Sequence, residues 1–399
     1  MSDTATLTSE VVSTRPARRA HHGRGPVLAA VGREDIHHLL DAANTVAARL
    51  GASVRVVSVL PPIFVSEVAG APVYVPAAEA ELDLRESISR MVEREVRSVA
   101  DESSDMTWEV ALGDVASVLT SRASHFGASL LVMGLGRHRA VERLLAAETT
   151  LRVMRHASAP VLAINASFDG APKRVVVATD FSPRSALAAQ AVIPLFADGA
   201  TLHLVHVWQP SGSRAPSIIA MEKRYADALP DRFARLRSVL AVPAGVAVTT
   251  SVLEGNVVER LLEFADSSSA DLVVAGRQGL SFLTRLMVGS VTTALVRGAR
   301  CSVLVVPEPS YPALDRMQRQ LTGTTSTRDP AHWQEALSEF THRNAGRRCE
   351  LEVDDPDIGA QQQESGYAFL GASYDPRDCR VELMIGGSHA GASHLSRGV

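Results

Sequence analysis

The chain is short of cysteine, of lysine and of long apolar runs, and each shortage removes a class of protein. Its 399 residues hold three cysteines, Cys301, Cys349 and Cys379. An odd number without close pairs fits neither a secreted disulfide framework nor a zinc site, and suits a reducing compartment. A pairing of Cys349 with Cys379 stays open. Only Lys173 and Lys223 of the forty cationic residues are lysine, which reads as codon usage rather than function. The longest apolar runs, at 27–31 and 302–306, fall far short of the roughly 20 residues that cross a bilayer. Arg15, Arg18, Arg19 and Arg24 precede no long apolar stretch. Residues 1–25 therefore read as a flexible basic arm rather than a secretory signal, and the expected location is the cytoplasm. A net charge of -4 offers no basic surface to a nucleic acid. Several catalytic signatures are missing as well: no G-x4-G-K-[ST] loop, no G-x-G-x-x-G after a strand, no G-x-S-x-G and no H-E-x-x-H.

What is present is a unit written twice. At 399 residues two or three domains are expected. The runs PVLAAVG at 26–32 and RVVVATD at 174–180 each end in a turn and lead into helical stretches, 34–50 and 183–198. Second apolar runs follow at 54–60 and 202–208. Later come LLVMG at 130–134 and LVVAG at 272–276, then PVLAI at 160–164 and SVLVV at 302–306. Between them Leu84, Ile88, Met91, Val92, Val96 and Val99 recur at helical spacing. Continuous apolar strands alternating with helices predict a parallel sheet covered on both faces. Each unit, 26–165 and 173–307, thus reads as a five-stranded doubly wound α/β domain, with a linker at 165–172. Residues 310–330, rich in Gly, Thr, Ser and Pro, read as a second linker. A helix at 333–344 and strands at 349–353, 367–374 and 380–385 predict a small, mostly β third domain over 331–399.

The second unit carries a distinctive constellation. Gly276 and Gly279 follow a strand, and after nine more residues Gly289 and Ser290 open a helix running to Gly298. Glycines let backbone come close to a ligand. The free N–H groups of a helix start favour an anion, and Ser290 and Thr292 add hydroxyls that can reach phosphate oxygens. In a doubly wound sheet the ligand sits beyond the carboxyl ends of the strands, where their order reverses. Asp180 ends the unit's first strand and falls across the same crevice, placed for a base or sugar. Two plainer alternatives are that the glycines only shape a connection, and that Asp180 only caps the helix entered at Pro183.

The spacing G-x2-G-x9-G-[ST], with TDFS at 179–182 after the first strand, resembles the ATP-binding branch of the universal stress protein family. His206 and Val207 at the end of the second strand fit it, as does Asp271 ahead of the strand ending at Gly276. The resemblance covers 26–165 and 173–307 and implies an adenine nucleotide alpha hydrolase-like fold. It implies ATP as ligand, with Mg2+, held by Thr179, Asp180, Val207, Gly276, Arg277, Gly279, Gly289, Ser290, Val291 and Thr292. Family members often pair through the last strand of each sheet. Here the two repeats can do so within one chain through 161–164 and 303–306, and a homodimer is a further option. The tail weakly resembles a small bacterial domain family of unknown function.

The first unit serves as an internal comparison. Aligning Gly134 with Gly276 sets Arg137 opposite Gly279, Ala147 opposite Gly289 and Glu148 opposite Ser290, while Gly32 stands where Asp180 stands. Two glycines are lost, and a carboxylate falls where phosphate would meet a helix start, with Arg137 and Arg139 near enough to offset it. The first unit is expected not to bind ATP in the usual way. His203 and His206 are expected to point to different strand faces and to pack rather than ligate. His389 and His394, and Asp354, Asp355 and Asp357, read as a polar tail and a solvated turn rather than cation sites. No pair in the second unit stands out as general base and water-positioning group. The expected role is a nucleotide-dependent sensor acting on an unknown protein partner, with a slow ATPase and a nucleotide-stabilised scaffold as alternatives.

Overall fold

The computed structural model describes residues 25–32, 35–61, 66–68, 71–73, 78–100, 105–135, 140–210, 214–277 and 290–322. In the C-terminal part it describes 334, 337–338, 341, 348–355, 359–375, 380–386 and 392–398. The chain divides into two compact units, 1–323 and 324–399.

The first repeat runs β1 (Val27–Val31), α1 (Ile36–Leu50), β2 (Val54–Leu60), a small hairpin β3 (Ser66–Val68) and β4 (Ala71–Val73), then α2 (Ala78–Val99). It continues with β5 (Met106–Leu112), α3 (Val115–His125), β6 (Leu130–Gly134), α4 (Ala140–His156) and β7 (Val161–Ile164). The second repeats the order with β8 (Arg174–Ala178), α5 (Pro183–Val192), β9 (Thr201–Trp208), α6 (Pro216–Val239) and β10 (Ala247–Glu254). It closes with α7 (Val257–Ser267), β11 (Leu272–Gly276), α8 (Ser290–Gly298) and β12 (Ser302–Val306). Ten strands form one sheet in the order β10-β9-β8-β11-β12-β7-β6-β1-β2-β5. Each half is parallel, and the halves meet where β12 pairs antiparallel with β7, Leu304 opposite Leu162. The pairing expected between the last strands is therefore made within the chain.

The period of two along each strand sorts its side chains into two cores. Val175, Val177, Leu272, Val274 and Leu304 face α1, α2, α5 and α6. Val176, Val273, Ala275, Val303 and Val305 face α3, α4, α7 and α8. Each core runs unbroken across both repeats, so burial on the order of 25 cal/mol per Å² of apolar surface holds them together. Polar groups fix the seam. Asn165 donates from its backbone N–H to Ser302 Oγ at 3.1 Å and from Nδ2 to the Arg300 carbonyl at 2.7 Å. The linker between repeats is packed: Phe168 is buried, and Gly170 has φ 88 with Thr45 Cβ 2.6 Å from where its own Cβ would stand. That position excludes any larger residue.

One boundary differs from expectation. Tyr311–Thr322, within the stretch expected to be a linker, forms helix α9. Its Met317 is buried in the core beside α5 and α6, and Leu321 packs against it. The Gly, Thr and Ser cluster that suggested a linker begins only after this helix.

In the C-terminal unit β13 (Arg348–Asp355), β14 (Gly359–Asp375), β15 (Arg380–Gly386) and β16 (Ala392–Gly398) form an antiparallel four-stranded sheet. Residues 334, 337, 338 and 341 are helical, in the stretch expected to be a helix. Thr341 Oγ1 accepts from the Ala372 N–H at 2.8 Å and donates to the Ala372 carbonyl at 3.0 Å, fixing that helix to β14. His394, expected in a polar tail, lies on β16 opposite Met384. His389, Asp357 and Cys379 lie outside the described residues, so the Cys349–Cys379 pairing does too.

Candidate functional site

The crevice of the second repeat is built at the carboxyl end of β8. Beyond this strand the neighbours diverge, β9 on one side and β11 on the other, which is the switch point where ligands enter such sheets. The chain leaves β8 through a network of short polar side chains. Thr179 Oγ1 accepts from the Phe181 N–H at 3.0 Å, and Asp180 Oδ1 accepts from the Ser182 N–H at 3.0 Å. Ser182 caps α5, its Oγ accepting from the Ser185 N–H at 3.2 Å, with Pro183 in the first turn. The cap expected of Asp180 thus belongs to Ser182, and Asp180 shapes the turn before it.

Phe181 takes φ 62, a left-handed conformation rare for a bulky residue. Its ring holds it there, packed 4.8 Å from Phe233 and 4.7 Å from His206. His206 donates from Nδ1 to the Thr179 carbonyl at 2.8 Å, and its Nε2 accepts from the Tyr225 hydroxyl at 2.7 Å. Both ring nitrogens are satisfied by the neutral tautomer. Burial pushes its pKa down, with the Thr179 bond and Asp180 opposing and Arg232 adding to the fall. Trp208 lies 5.7 Å from Tyr225, and the Arg232 guanidinium sits 5.1 Å over the Tyr225 ring. An aromatic wall with a cation therefore backs the loop that carries Thr179 and Asp180. His203 faces the other side of the sheet, bonded to Thr249 at 2.7 Å and packed edge-on against Phe264. The two histidines pack on opposite faces, as their spacing predicts.

Across the crevice β11 ends at Gly276. Thr292 on α8 donates from Oγ1 to the Gly276 carbonyl at 2.9 Å and is buried. Its hydroxyl ties helix to strand rather than reaching for a phosphate. Val291 and Val207 are half-buried against the core of that face. Arg277 turns away: its guanidinium donates to the carbonyls of Arg155 at 3.2 Å and Ala157 at 3.4 Å, at the end of α4. Gly279 and Gly289 lie outside the described residues, and Ser290 is described only as the first residue of α8. Asp271 sits at the opposite end of the strands. Its Oδ2 accepts from the N–H groups of Lys173 and Arg174, both at 2.8 Å, which binds β11 to β8.

The structure thus brings Thr179, Asp180, Val207 and Gly276 to the carboxyl ends of neighbouring strands, with α8 tethered beside them. Arg277, and the hydroxyl of Thr292, serve the scaffold. Phe181, Tyr225 and Arg232 complete the wall. Tyr225 and Arg232 come from mid-helix positions that no local spacing marks. In the first repeat α4 is helical from Ala140, so Glu148 lies in its third turn and not at a helix start. There it pairs with Arg297 of α8.

This is a tandem doubly wound α/β protein with a switch-point crevice in its second half, and comparison with known proteins assigns it. The model of the universal stress protein family matches residues 23–165 and 172–307, and that of a family of unknown function, DUF5335, matches 325–396. The chain belongs to the universal stress protein family. It is 28% identical over 291 residues to a universal stress protein of Mycobacterium tuberculosis, covering 66% of this chain and 88% of that one. A Thermus aquaticus relative is 33% identical over 135 residues, covering 32% of this chain and 91% of its own. A Methanocaldococcus jannaschii relative is 42% identical over 65 residues, spanning 16% of this chain and 38% of that protein. Among solved structures, a universal stress protein of Archaeoglobus fulgidus covers 72% of this chain and 97% of its own at 16% identity, TM-score 0.48. Another, solved in complex with cAMP, covers 34% of this chain and 97% of its own at 27% identity, TM-score 0.25.

Proposed function

We propose that the second repeat binds ATP, with Mg2+, and that occupancy changes the surface the protein offers to a partner in a cytoplasmic stress response. The observation that supports this best is the pair of strand ends at the switch point. Thr179 and Asp180 close one side of the crevice, and Gly276 closes the other with α8 tethered beside it. Base and ribose would lie against the Asp180 and Val207 side. The phosphates would lie toward Gly276, Gly279, Gly289 and Ser290, where backbone N–H groups and the start of α8 favour an anion. The first repeat lacks this cradle and does not take ATP in that way. Calorimetric titration with Mg-ATP tests the reading. One site per chain is expected, abolished in a folded Gly289→Glu variant. No binding to the nucleotide-free wild type overturns it, and competition by AMP at equal strength would make the β- and γ-phosphate contacts irrelevant. Steady phosphate release separates a slow ATPase from a sensor. Turnover is expected to be slow at most.

A further inference from the structure

A groove of about 490 Å3 lies at the edge of the sheet, between α6 and the strands β9 and β10. β10 ends the sheet, and its Thr250, Val252 and Glu254, spaced two apart, present one face to the groove. The facing wall is a stripe of α6 that runs from Ala226 through Pro230 and Phe233 to Arg237. Val252 is 43% exposed there, so the groove leaves apolar surface uncovered. Hollows of this size, mostly apolar with a few polar groups at fixed places, are where small molecules bind.

The polar groups sit at the two ends of the groove. Glu254 and Trp208 are register partners at the carboxyl ends of β10 and β9, and both line it. Tyr225 packs 5.7 Å from Trp208, which sets the Ala226 end of the helical stripe beside them. Pro230, four residues further on, has no N–H to offer the Ala226 carbonyl, and both residues line the groove. A carboxylate, an indole and a carbonyl without its helical donor thus meet at one end, and all three attract a cation. Among the described residues the Glu254 side chain has no hydrogen bond or ion pair. The adjoining residues 211–213 are Ser, Gly and Ser, which carry no charge. Arg237 stands at the other end, roughly 16 Å further along α6, and opposes a second positive charge there.

We propose that this groove binds a small organic cation, with one ammonium held by Glu254, the Trp208 ring and the Ala226 carbonyl, and an apolar body along Pro230, Phe233 and Val252. Thr179, Asp180 and Gly276 do not line it, so the site stands whether or not the second repeat binds ATP.

The full chain is titrated with dansylcadaverine, a fluorescent naphthalene derivative that carries one primary ammonium. Saturable one-to-one binding with blue-shifted emission is expected, weaker by about tenfold for the N-acetylated, uncharged probe. Glu254→Gln should cost a similar factor, and Ala234→Trp, at an exposed helix position on the groove wall, should block binding. Cadaverine, with two ammoniums and no aryl body, should not displace the probe. Hydrogen exchange on the unmodified chain keeps the test independent of how the variants fold: the probe should protect segments 226–237 and 248–254. No saturable binding, equal affinity for the acetylated probe, or undiminished binding in a folded Glu254→Gln or Ala234→Trp chain overturns the proposal. Displacement by cadaverine or by Mg-ATP, or protection at 174–182 instead, does the same.

Discussion

The guanidinium of Arg277, one residue past the glycine that ends β11, donates to the Arg155 carbonyl in the last turn of α4, 3.2 Å away in the other repeat. The carboxyl end of a helix carries partial negative charge, so a cation there is favourable. Burial pushes the Arg277 pKa down and Glu308 opposes that, which marks a side chain committed to the seam. Arg277→Met keeps the apolar stem and removes the charge. It is expected to lower stability by about 1–2 kcal/mol in urea titration and to leave ATP affinity unchanged in calorimetry. A fall in affinity as steep as that of Gly289→Glu would place Arg277 in the ligand site after all.

Arg277 also shows where sequence reasoning stops. Continuous apolar runs made the eight inner strands legible, because strands buried on both faces cannot alternate with polar residues, whereas the edge strands β5 and β10 carry no such run. The repeat fixed which strands correspond, and hence that Thr179, Asp180 and Gly276 meet at one crevice. Motif spacing, however, specifies backbone and not side-chain direction, so it does not reveal that Arg277 and Thr292 hydrogen-bond to the scaffold. Glu148 was misplaced for a related reason: alignment by glycines carried a helix start from one repeat to the other, while α4 begins at least two turns earlier. Helix α9 was hidden by the Pro and Gly around it, although Leu314, Met317 and Leu321 carry its helical spacing.

Stability should fall with acid partly through His206. Its folded pKa lies below the ordinary 6.5 because burial disfavours the charged ring. The unfolded chain therefore binds the proton more readily, so the contribution is fully present above about pH 6.5 and is lost as pH falls below it. His203, also lowered by burial, adds a term of the same sign. Urea midpoints measured from pH 7.5 to 5 should drop, and the slope should be shallower in His206→Phe. An unchanged slope in that variant would show that the ring binds its proton equally well in the folded and unfolded states.

Phe181 offers a test of backbone strain. At an ordinary position glycine is less stable than alanine by roughly 0.5–1 kcal/mol. At φ 62 the preference reverses, because alanine keeps the left-handed penalty of about 1–2 kcal/mol that glycine escapes. Both variants lose the ring contacts with Phe233 and His206, so each is less stable than wild type. Phe181→Gly should nevertheless exceed Phe181→Ala by about 1 kcal/mol in chemical denaturation. The opposite order would mean that the turn relaxes once the ring is gone.

Thr292 links the candidate site to the fold through one bond, from its hydroxyl to the Gly276 carbonyl. Thr292→Val is nearly isosteric but leaves that carbonyl without its side-chain donor, at a cost of about 1 kcal/mol. If the bond sets the position of α8 against the end of β11, the loss should also appear in ligand binding. ATP affinity is then expected to weaken by about tenfold, the equivalent of about 1.4 kcal/mol. Thr292→Ser, which restores the donor but not the methyl, should recover most of it. Stability and affinity measured on the same samples decide the matter. Were Val to lower stability and leave affinity intact, the tether would be purely structural. Were Ser to weaken binding as much as Val, the methyl's packing would matter rather than the hydrogen bond.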